Sequence, residues 1–564
     1  MKGAQRHSQL GRQAIHGVAA GRRTLRKVRK SGRSQIVFWF LALAIGTAAG
    51  FAALGFRKAI AALQKLAYGV DDPTHLHSFA ESLPWYMILL IPVAGGLAVG
   101  LILHFFTADG RVRAVADVIE GAALKEGRVE GKEGVASAFA SLITLSFGGS
   151  SGREGPVVHI AGVISSWVSR WVGASGITAR DLLGCAVAGA VSASFNAPIA
   201  GALFALEVVL RHYAVHAFAP IAIASVAGTV ISRLEFGNVT EFSLPADNQL
   251  IFYTELPAFL ILGILCGLVA VVLMRSVFIA ENIATRIQDK TGIPRYLRPA
   301  VAGLLLGAIA IFFPHIIGVG YETTSAALTG ELLLWEAVVF AILKTAALAI
   351  TMGGRMGGGV FSPSLMVGAL TGLAFGLIAT GILPDSSAGS ETLYALAGMG
   401  AVAAAVLGAP ISTTLIVFEL TGDWQTGLGV MVAVSISTAL SSRLVDHSFF
   451  LTQLERRNIH LAAGPQAYLL ATVRCASVMR RMDGDRAPDP DACWDLVEQG
   501  LYVDGNATLE SAMPVFEQTG ADYIPVVTLG GEDQPPELWG ALYQVDALRA
   551  FNKVLAATAK EEHS

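Results

Sequence analysis

The chain is 564 residues long, 53% hydrophobic and 15% charged, with a mean hydropathy of +0.58, which excludes a soluble multidomain protein and points to a polytopic membrane protein with a polar tail. The formal net charge of −3 identifies no charged partner, and nothing in the charge pattern points to nucleic acid. Four cysteines, Cys185, Cys266, Cys475 and Cys493, lack metal-ligand spacing, so neither a metal centre nor a disulfide is expected.

Residues 1–34 form a basic segment in which Arg22, Arg23, Arg26, Lys27, Arg29 and Lys30 cluster just before the first apolar run. The positive-inside tendency puts this segment in the cytoplasm. Ile36 to Phe56 reads as a retained span rather than a signal peptide. Further apolar runs are expected at 84–106, 135–147, 156–173, 182–195, 198–210, 215–235, 251–279, 297–318, 332–352, 360–382, 392–407, 409–420 and 426–443. Several are shorter than the ~20 residues that cross a bilayer, and such pieces must be half-spanning, re-entrant or tilted helices packed inside protein. The 61 glycines fit close helix approach and broken helices.

The stretch Gly148 to Pro156, Gly-Gly-Ser-Ser-Gly-Arg-Glu-Gly-Pro, sets Arg153 and Glu154 between two long uncharged segments. A lone carboxylate at membrane depth costs roughly 2.5 to 3.5 kcal/mol on insertion scales, so Glu154 needs a wet cavity or a compensating role. Glycines leave backbone N–H groups open to a ligand, and Pro156 suits the first turn of a following helix, Val157 to Val172. A helix start of this kind favours an anion or a carboxylate. The competing reading is a simple Arg153–Glu154 ion pair in a surface loop.

An internal repeat organises the rest. Asn196-Ala-Pro-Ile-Ala-Gly-Ala-Leu-Phe-Ala-Leu-Glu207 returns as Gly408-Ala-Pro-Ile-Ser-Thr-Thr-Leu-Ile-Val-Phe-Glu419, each copy following a small-residue run opened by Gly-Ala-Val at Gly189 and Gly400. The loop ending at Pro156 likewise has a partner in Gly357-Gly-Gly-Val-Phe-Ser-Pro363. Duplicated halves with helices interrupted at matching places point to a transporter or channel whose site lies where the halves meet. After Gly464 charged and proline-rich sequence takes over, with strand-like runs at Tyr523 to Val527 and Leu538 to Tyr543. A small α/β module on the cytoplasmic side is expected there. The expected divisions are thus 1–34, a membrane domain over 35–462 with repeats at about 35–235 and 250–460, and a tail domain over 463–564.

Residues 36 to 460 resemble the CLC family of chloride channels and chloride/proton antiporters, through Gly152-Arg-Glu-Gly-Pro156, Asn196-Ala-Pro, Gly359-Val-Phe-Ser-Pro363 and Gly408-Ala-Pro. The resemblance implies an all-α homodimer in the cell membrane, each subunit built from two inverted repeats around its own anion pathway, with no organic cofactor and both termini cytoplasmic. By position, Glu154 matches the gating glutamate, which competes with chloride or other small anions and, in antiporters, carries a proton. Backbone amides of Gly152, Arg153, Glu154 and Gly155 would line the outer anion site, and those of Val360 and Phe361 the central one. The Phe361 side chain reads equally as wall packing.

Three departures bear on mechanism. Arg113, in Val112-Arg-Ala-Val-Ala116, stands where the family has an anion-binding serine, and is either an anion-attracting charge at the inner mouth or a cytoplasmic loop arginine. Phe450 replaces the tyrosine that supplies the second hydroxyl, so selectivity among chloride, bromide and nitrate is expected to loosen. Val208 replaces the inner proton-accepting glutamate next to Glu207, which tips the reading toward a channel or uncoupled conduction, with proton-coupled chloride, fluoride or nitrate exchange as the alternative. Glu207 itself reads as structural, because its repeat partner Glu419 sits in a half without a gate. His159, about 140° round the helix from Glu154, reads as packed or lipid-facing before it reads as a proton relay. The tail resembles a single CBS module, at Val473 to Met479, Gly505 to Met513 and Asp546 to Arg549; Tyr543 takes the place of its ribose-binding Ser or Thr, which argues against adenine-nucleotide binding and for a dimer contact. An intramembrane enzyme or a ligand sensor signalling through the tail is the competing class, but no Ser/His, paired-aspartate or His-Glu-x-x-His pattern lies in the spans.

Overall fold

The computed structural model describes residues 34–562 apart from 71, 73–74, 175, 214, 238–241, 243–251, 383–389, 423, 460, 462–469, 471–472, 485–486, 506 and 529–536. The basic cluster Arg22 to Lys30 lies outside the described residues. Two compact units are present, one running to Leu210 and from Ala217 to Arg457, the other taking in Arg211–His216 and the chain from Asn458 onward.

The first unit is helical throughout. In chain order its α-helices are α1 (Ser34–Tyr68), α2 (Leu76–Glu81), α3 (Trp85–Phe106), α4 (Val115–Leu124), α5 (Gly131–Ser146), α6 (Glu154–Val172), α7 (Ile177–Phe195), α8 (Pro198–Phe204, continued by a π-turn over Ala205–Leu210), α9 (Val215–Phe236), α10 (Phe252–Thr291), α11 (Arg298–Ala310), α12 (Tyr321–Thr329), α13 (Leu334–Gly353), α14 (Phe361–Ile382), α15 (Glu391–Leu407), α16 (Pro410–Thr421), α17 (Trp424–Leu444) and α18 (Phe449–Glu455). Among the described residues seven helices are long and apolar enough to cross a membrane. The shorter ones sit inside protein: α15, 17 residues long, is buried at every position from Leu393 to Leu407.

Several boundaries differ from the sequence expectation for local reasons. Helix α10 runs three turns past its apolar stretch, because nothing stops it before Gly292, at φ +66°, and Pro294. The run 297–318 is one short helix followed by a 3₁₀ turn, Pro314–Ile316, since Pro314 lacks the donor that would continue the ladder. Helix α6 begins at Glu154 rather than Val157; its third residue is Pro156, and a first-turn N–H has no intrahelical partner to lose. Helices α2, α4 and α12 were not anticipated, being too short to register as apolar runs.

The repeat is visible in the backbone. Asn196, at φ 57°, and Gly408, at φ 68°, each end a helix in the left-handed conformation, and Pro198 and Pro410 each open the next helix two residues later. The two halves then cap one another. The Glu207 carboxylate accepts from Ile411 N (3.0 Å), Ser412 N (2.8 Å) and Ser412 Oγ (2.7 Å) at the start of α16, and Glu419 accepts from Ile199 N (3.0 Å) and Ala200 N (2.8 Å) at the start of α8. This reciprocity is what a two-fold relation between the halves produces.

The second unit holds a four-stranded sheet. With β1 (Arg480–Arg481), β2 (Val503–Asp504), β3 (Tyr523–Thr528) and β4 (Glu537–Tyr543), the order is β1-β4-β3-β2, with β2 parallel to β3 and the other pairs antiparallel. Leu509, Ala512 and Phe516 of one helix, Leu509–Thr519, pack with Ile524, Val526 and Leu542 of the sheet. Within Val473 to Met479, Arg474 makes a single antiparallel bridge to Thr508 and Cys475–Val478 forms a helical turn, with Cys475 N donating to Ala507 O. Tyr543 stacks on Tyr523 (centroids 5.2 Å apart) and lies under Arg480, which pairs with Asp546. All four cysteines are free and buried.

Candidate functional site

The two glycine-rich loops meet. Gly152 N donates to Gly359 O and Gly359 N to Gly152 O, both at 2.7 Å, an isolated antiparallel bridge. Each loop then enters a helix in the same way, Glu154-Gly155-Pro156 opening α6 and Phe361-Ser362-Pro363 opening α14. Val157 N returns to Arg153 O (3.3 Å) and Ser364 N to Val360 O (3.0 Å), so the amides just ahead of them have no intrahelical acceptor. Two positive helix ends therefore face one spot, a setting that favours an anion.

Glu154 occupies that spot. Its side chain is 4% exposed, and its Oε1 accepts from Ser362 Oγ at 2.5 Å. A Cβ on Gly152 would come within 2.5 Å of Glu154 Oε2 and 3.1 Å of Ser362 N, so only glycine leaves room for the carboxylate in this position. Gly358 has φ +128°, a conformation that only glycine adopts without strain. Beside them a narrow cavity, with room for about one water-sized sphere, is lined by Val115, Glu154, Gly155, Val360, Phe361 and Phe450, among others. Its wall is aromatic: Phe195 and Phe204 pack on Phe361 with centroids 4.7 and 5.9 Å away. The cavity holds no side-chain hydroxyl at the Val115 and Phe450 positions.

Of the residues expected at the site, Glu154, Gly155, Val360, Phe361 and Phe450 are brought together. Two are not, and of Arg153, expected there through its backbone amide, only the side chain lies elsewhere. The Gly152 amide is engaged by Gly359 O and has no donor left for an anion. The Arg153 side chain donates to Ser194 O (3.0 Å), faces the Tyr321 ring and lines a separate pocket with Gln64, His77, His315 and Glu322. Arg113 is buried among Asp109, Glu130 and Glu133, with its amide on Ser137 Oγ (2.8 Å). Three carboxylates satisfy its guanidinium, so the anion-attracting reading of Arg113 is corrected to that of a neutralised loop arginine; the residue that reaches the cavity is Val115. The alternative of an Arg153–Glu154 pair in a surface loop is likewise overturned, since both residues are buried and Glu154 bonds Ser362.

Two residues were missed by sequence reasoning. Ser362 sits inside a quoted motif, and a hydroxyl at the second position of a helix facing a carboxylate was the available signal. Lys344 is the one lysine in the apolar run 332–352; it is fully buried and donates to Ile316 O (3.2 Å) and Gly318 O (2.8 Å). His159 packs inside the protein, 1% exposed, against Gly134 of α5, and neither ring nitrogen has a hydrogen-bond partner among the described residues. Among those residues no group of three or more His, Cys, Asp or Glu could hold a metal.

Residues 95–442 match the family model described as voltage gated chloride channel. The chain belongs to the voltage-gated chloride channel (CLC) family. It is 32% identical over 394 residues to a putative ClcB-like chloride channel protein of Ralstonia nicotianae, covering 69% of this chain and 90% of that one. It is also 30% identical to the ClcB voltage-gated ClC-type chloride channel of Escherichia coli O81, covering 73% and 97%. The fold of this CLC protein is similar to a crystal structure of a slow cyanobacterial Cl⁻/H⁺ antiporter (TM-score 0.64, 20% identity, covering 74% and 97%). It is similar too to a eukaryotic CLC transporter (0.66, 17%, covering 92% and 99%) and a CLC-type fluoride/proton antiporter (0.62, 20%, covering 75% and 98%). Family members are transporters and channels, and this CLC protein is an anion transporter of the membrane.

Proposed function

We propose that chloride and similar monovalent anions pass through the cavity beside Glu154 and that this carboxylate is the gate. The observation that carries the reading is the buried Glu154 side chain, bonded to Ser362 where the starts of α6 and α14 converge. A charged carboxylate there takes the place of the transported anion; protonated or displaced, it leaves the donors to the ion. Passive, channel-like conduction is the favoured mode, because Val208 cannot relay a proton and lies buried beside the capping residue Glu207. Proton-coupled exchange is the second reading, and buried His159, unbonded on Glu154's own helix, is the observation in its favour.

The wider assembly belongs to the same proposal. The membrane unit forms a homodimer in the cell membrane; Ile199 and Ile411, 52% and 48% exposed, give the paired helices α8 and α16 an apolar outer face. The basic segment 1–34 keeps the N-terminus cytoplasmic, and the sheet-containing tail acts there as a CBS-like dimer contact without a nucleotide. The deciding experiment follows chloride and pH together in proteoliposomes. Glu154→Ala is expected to raise chloride flux and to remove any proton movement. Uphill proton uptake driven by a chloride gradient in the unmutated protein would defeat the channel reading, and normal gating in Glu154→Ala would defeat the gate.

A further inference from the structure

A groove on the membrane unit takes no part in the anion cavity. It lies as an open slot between α10, α11 and α13. Its walls include Ile283, Ile287, Val301, Leu305 and Ile350, and the first four stay 49%, 51%, 45% and 50% exposed. Helices α10 and α13 are both long and apolar enough to span, so Val301 and Leu305 face hydrocarbon, while Ile283 and Ile287 stand on the turns of α10 past its apolar stretch, where hydrocarbon gives way to the polar interface.

The chemistry changes at one end. There Arg298, 5% exposed, donates to Gly353 O (2.9 Å), Thr285 Oγ1 (3.0 Å), Gln288 Oε1 (3.2 Å) and Glu281 O (3.2 Å). Its donors are taken up in joining the three helices. The neighbouring cations are different. Arg286 and Lys290 follow Ile283 and Ile287 by one turn on α10, and Arg295 precedes Arg298 by three residues. All three are exposed and make no hydrogen bond or ion pair among the described residues. The segment 280–298 carries four cations against two carboxylates, Glu281 and Asp289, so its net charge is positive.

We propose that this groove binds an anionic phospholipid, with one acyl chain along Ile283, Ile287, Val301 and Leu305 and the phosphate at Arg286, Lys290 and Arg295. Charge complementarity selects the occupant: exposed cations within one turn of the apolar lining match a molecule with an anionic head and an apolar tail. A soluble peptide has no reason to enter walls that face hydrocarbon. The floor of the slot, Gly353 and Gly354, leads directly into the glycine run 357–359 of the anion site.

The test is native mass spectrometry of the full-length protein in detergent, offered equal phosphatidylglycerol and phosphatidylcholine. Phosphatidylglycerol is expected to be retained over phosphatidylcholine by about fivefold for each cation that reaches the phosphate. Arg286→Gln/Lys290→Gln/Arg295→Gln is expected to equalise the two lipids. Leu305→Trp, which fills the slot, is expected to lower retention of both, and chloride flux in each variant reports that it is folded. Equal retention in the unmutated protein, or a preference that survives the triple substitution, overturns the proposal.

Discussion

Replacing Glu207 separates a cap from a proton carrier. Its carboxylate accepts three hydrogen bonds from the first turn of α16, at 3.0, 2.8 and 2.7 Å, and Ser412 is fully buried. Ile411 N and Ser412 N belong to the orphan donors of that helix. Losing such a cap costs about 0.5–2 kcal/mol, and removing a negative charge from a partly buried helix start adds up to ~2 kcal/mol. Glu207→Ala is therefore expected to destabilise the membrane unit by about 2–3 kcal/mol, and Glu207→Gln, which keeps one acceptor oxygen, by about 1 kcal/mol. Glu419→Ala should cost somewhat less, because Glu419 accepts two bonds rather than three. Chemical unfolding of the purified protein in detergent measures the order, and flux per folded molecule in proteoliposomes measures function. Glu207→Gln with unchanged stability and altered proton movement or anion flux would refute the capping argument.

Phe450→Tyr restores a hydroxyl to the anion cavity and is expected to tighten chloride binding about fivefold, the worth of one hydrogen bond, read by calorimetric titration; unchanged affinity would mean that this ring edge misses the ion. Lys344→Met strands the carbonyls of Ile316 and Gly318 and should cost about 2–3 kcal/mol, with Lys344→Arg closer to the native protein in thermal unfolding. Asp109 lies outside the spans; burial works against its charge, but hydrogen bonds from Arg113 and Arg111 outweigh that and lower it from 3.8 to about 2. A depressed carboxyl contributes stability that is present above its ordinary value and is lost as pH falls toward its folded one. Unfolding measured from pH 4 down to 2 should thus show a loss of stability that Asp109→Asn lacks.

Periodicity and the repeated Ala-Pro-Ile segments were enough to read a duplicated membrane core, because hydrophobic length and backbone breakers are local properties that survive without coordinates. The same holds for singling out Glu154, which the structure places buried where the two glycine-rich loops meet. A carboxylate flanked by glycine and proline between two apolar helices has few other uses, and Phe450 could be aligned from its neighbours. Which amides remain open was not legible: Gly152 and Gly359 exchange hydrogen bonds across 207 positions, and no local pattern encodes that pairing. The choice between the two readings of Arg113 was not legible for the same reason, since Glu130 and Glu133 meet it only in the folded chain.

By itself, then, the sequence determined the class of molecule, the two-fold repetition and the acidic residue at its centre, all of which follow from composition and short-range order. Only the tertiary structure decided which half caps which, that Ser362 bonds the buried Glu154 carboxylate, and that Lys344 is buried among carbonyls. Those outcomes depend on atoms far apart in the chain meeting at hydrogen-bond distance, where burial makes each unmatched polar group costly.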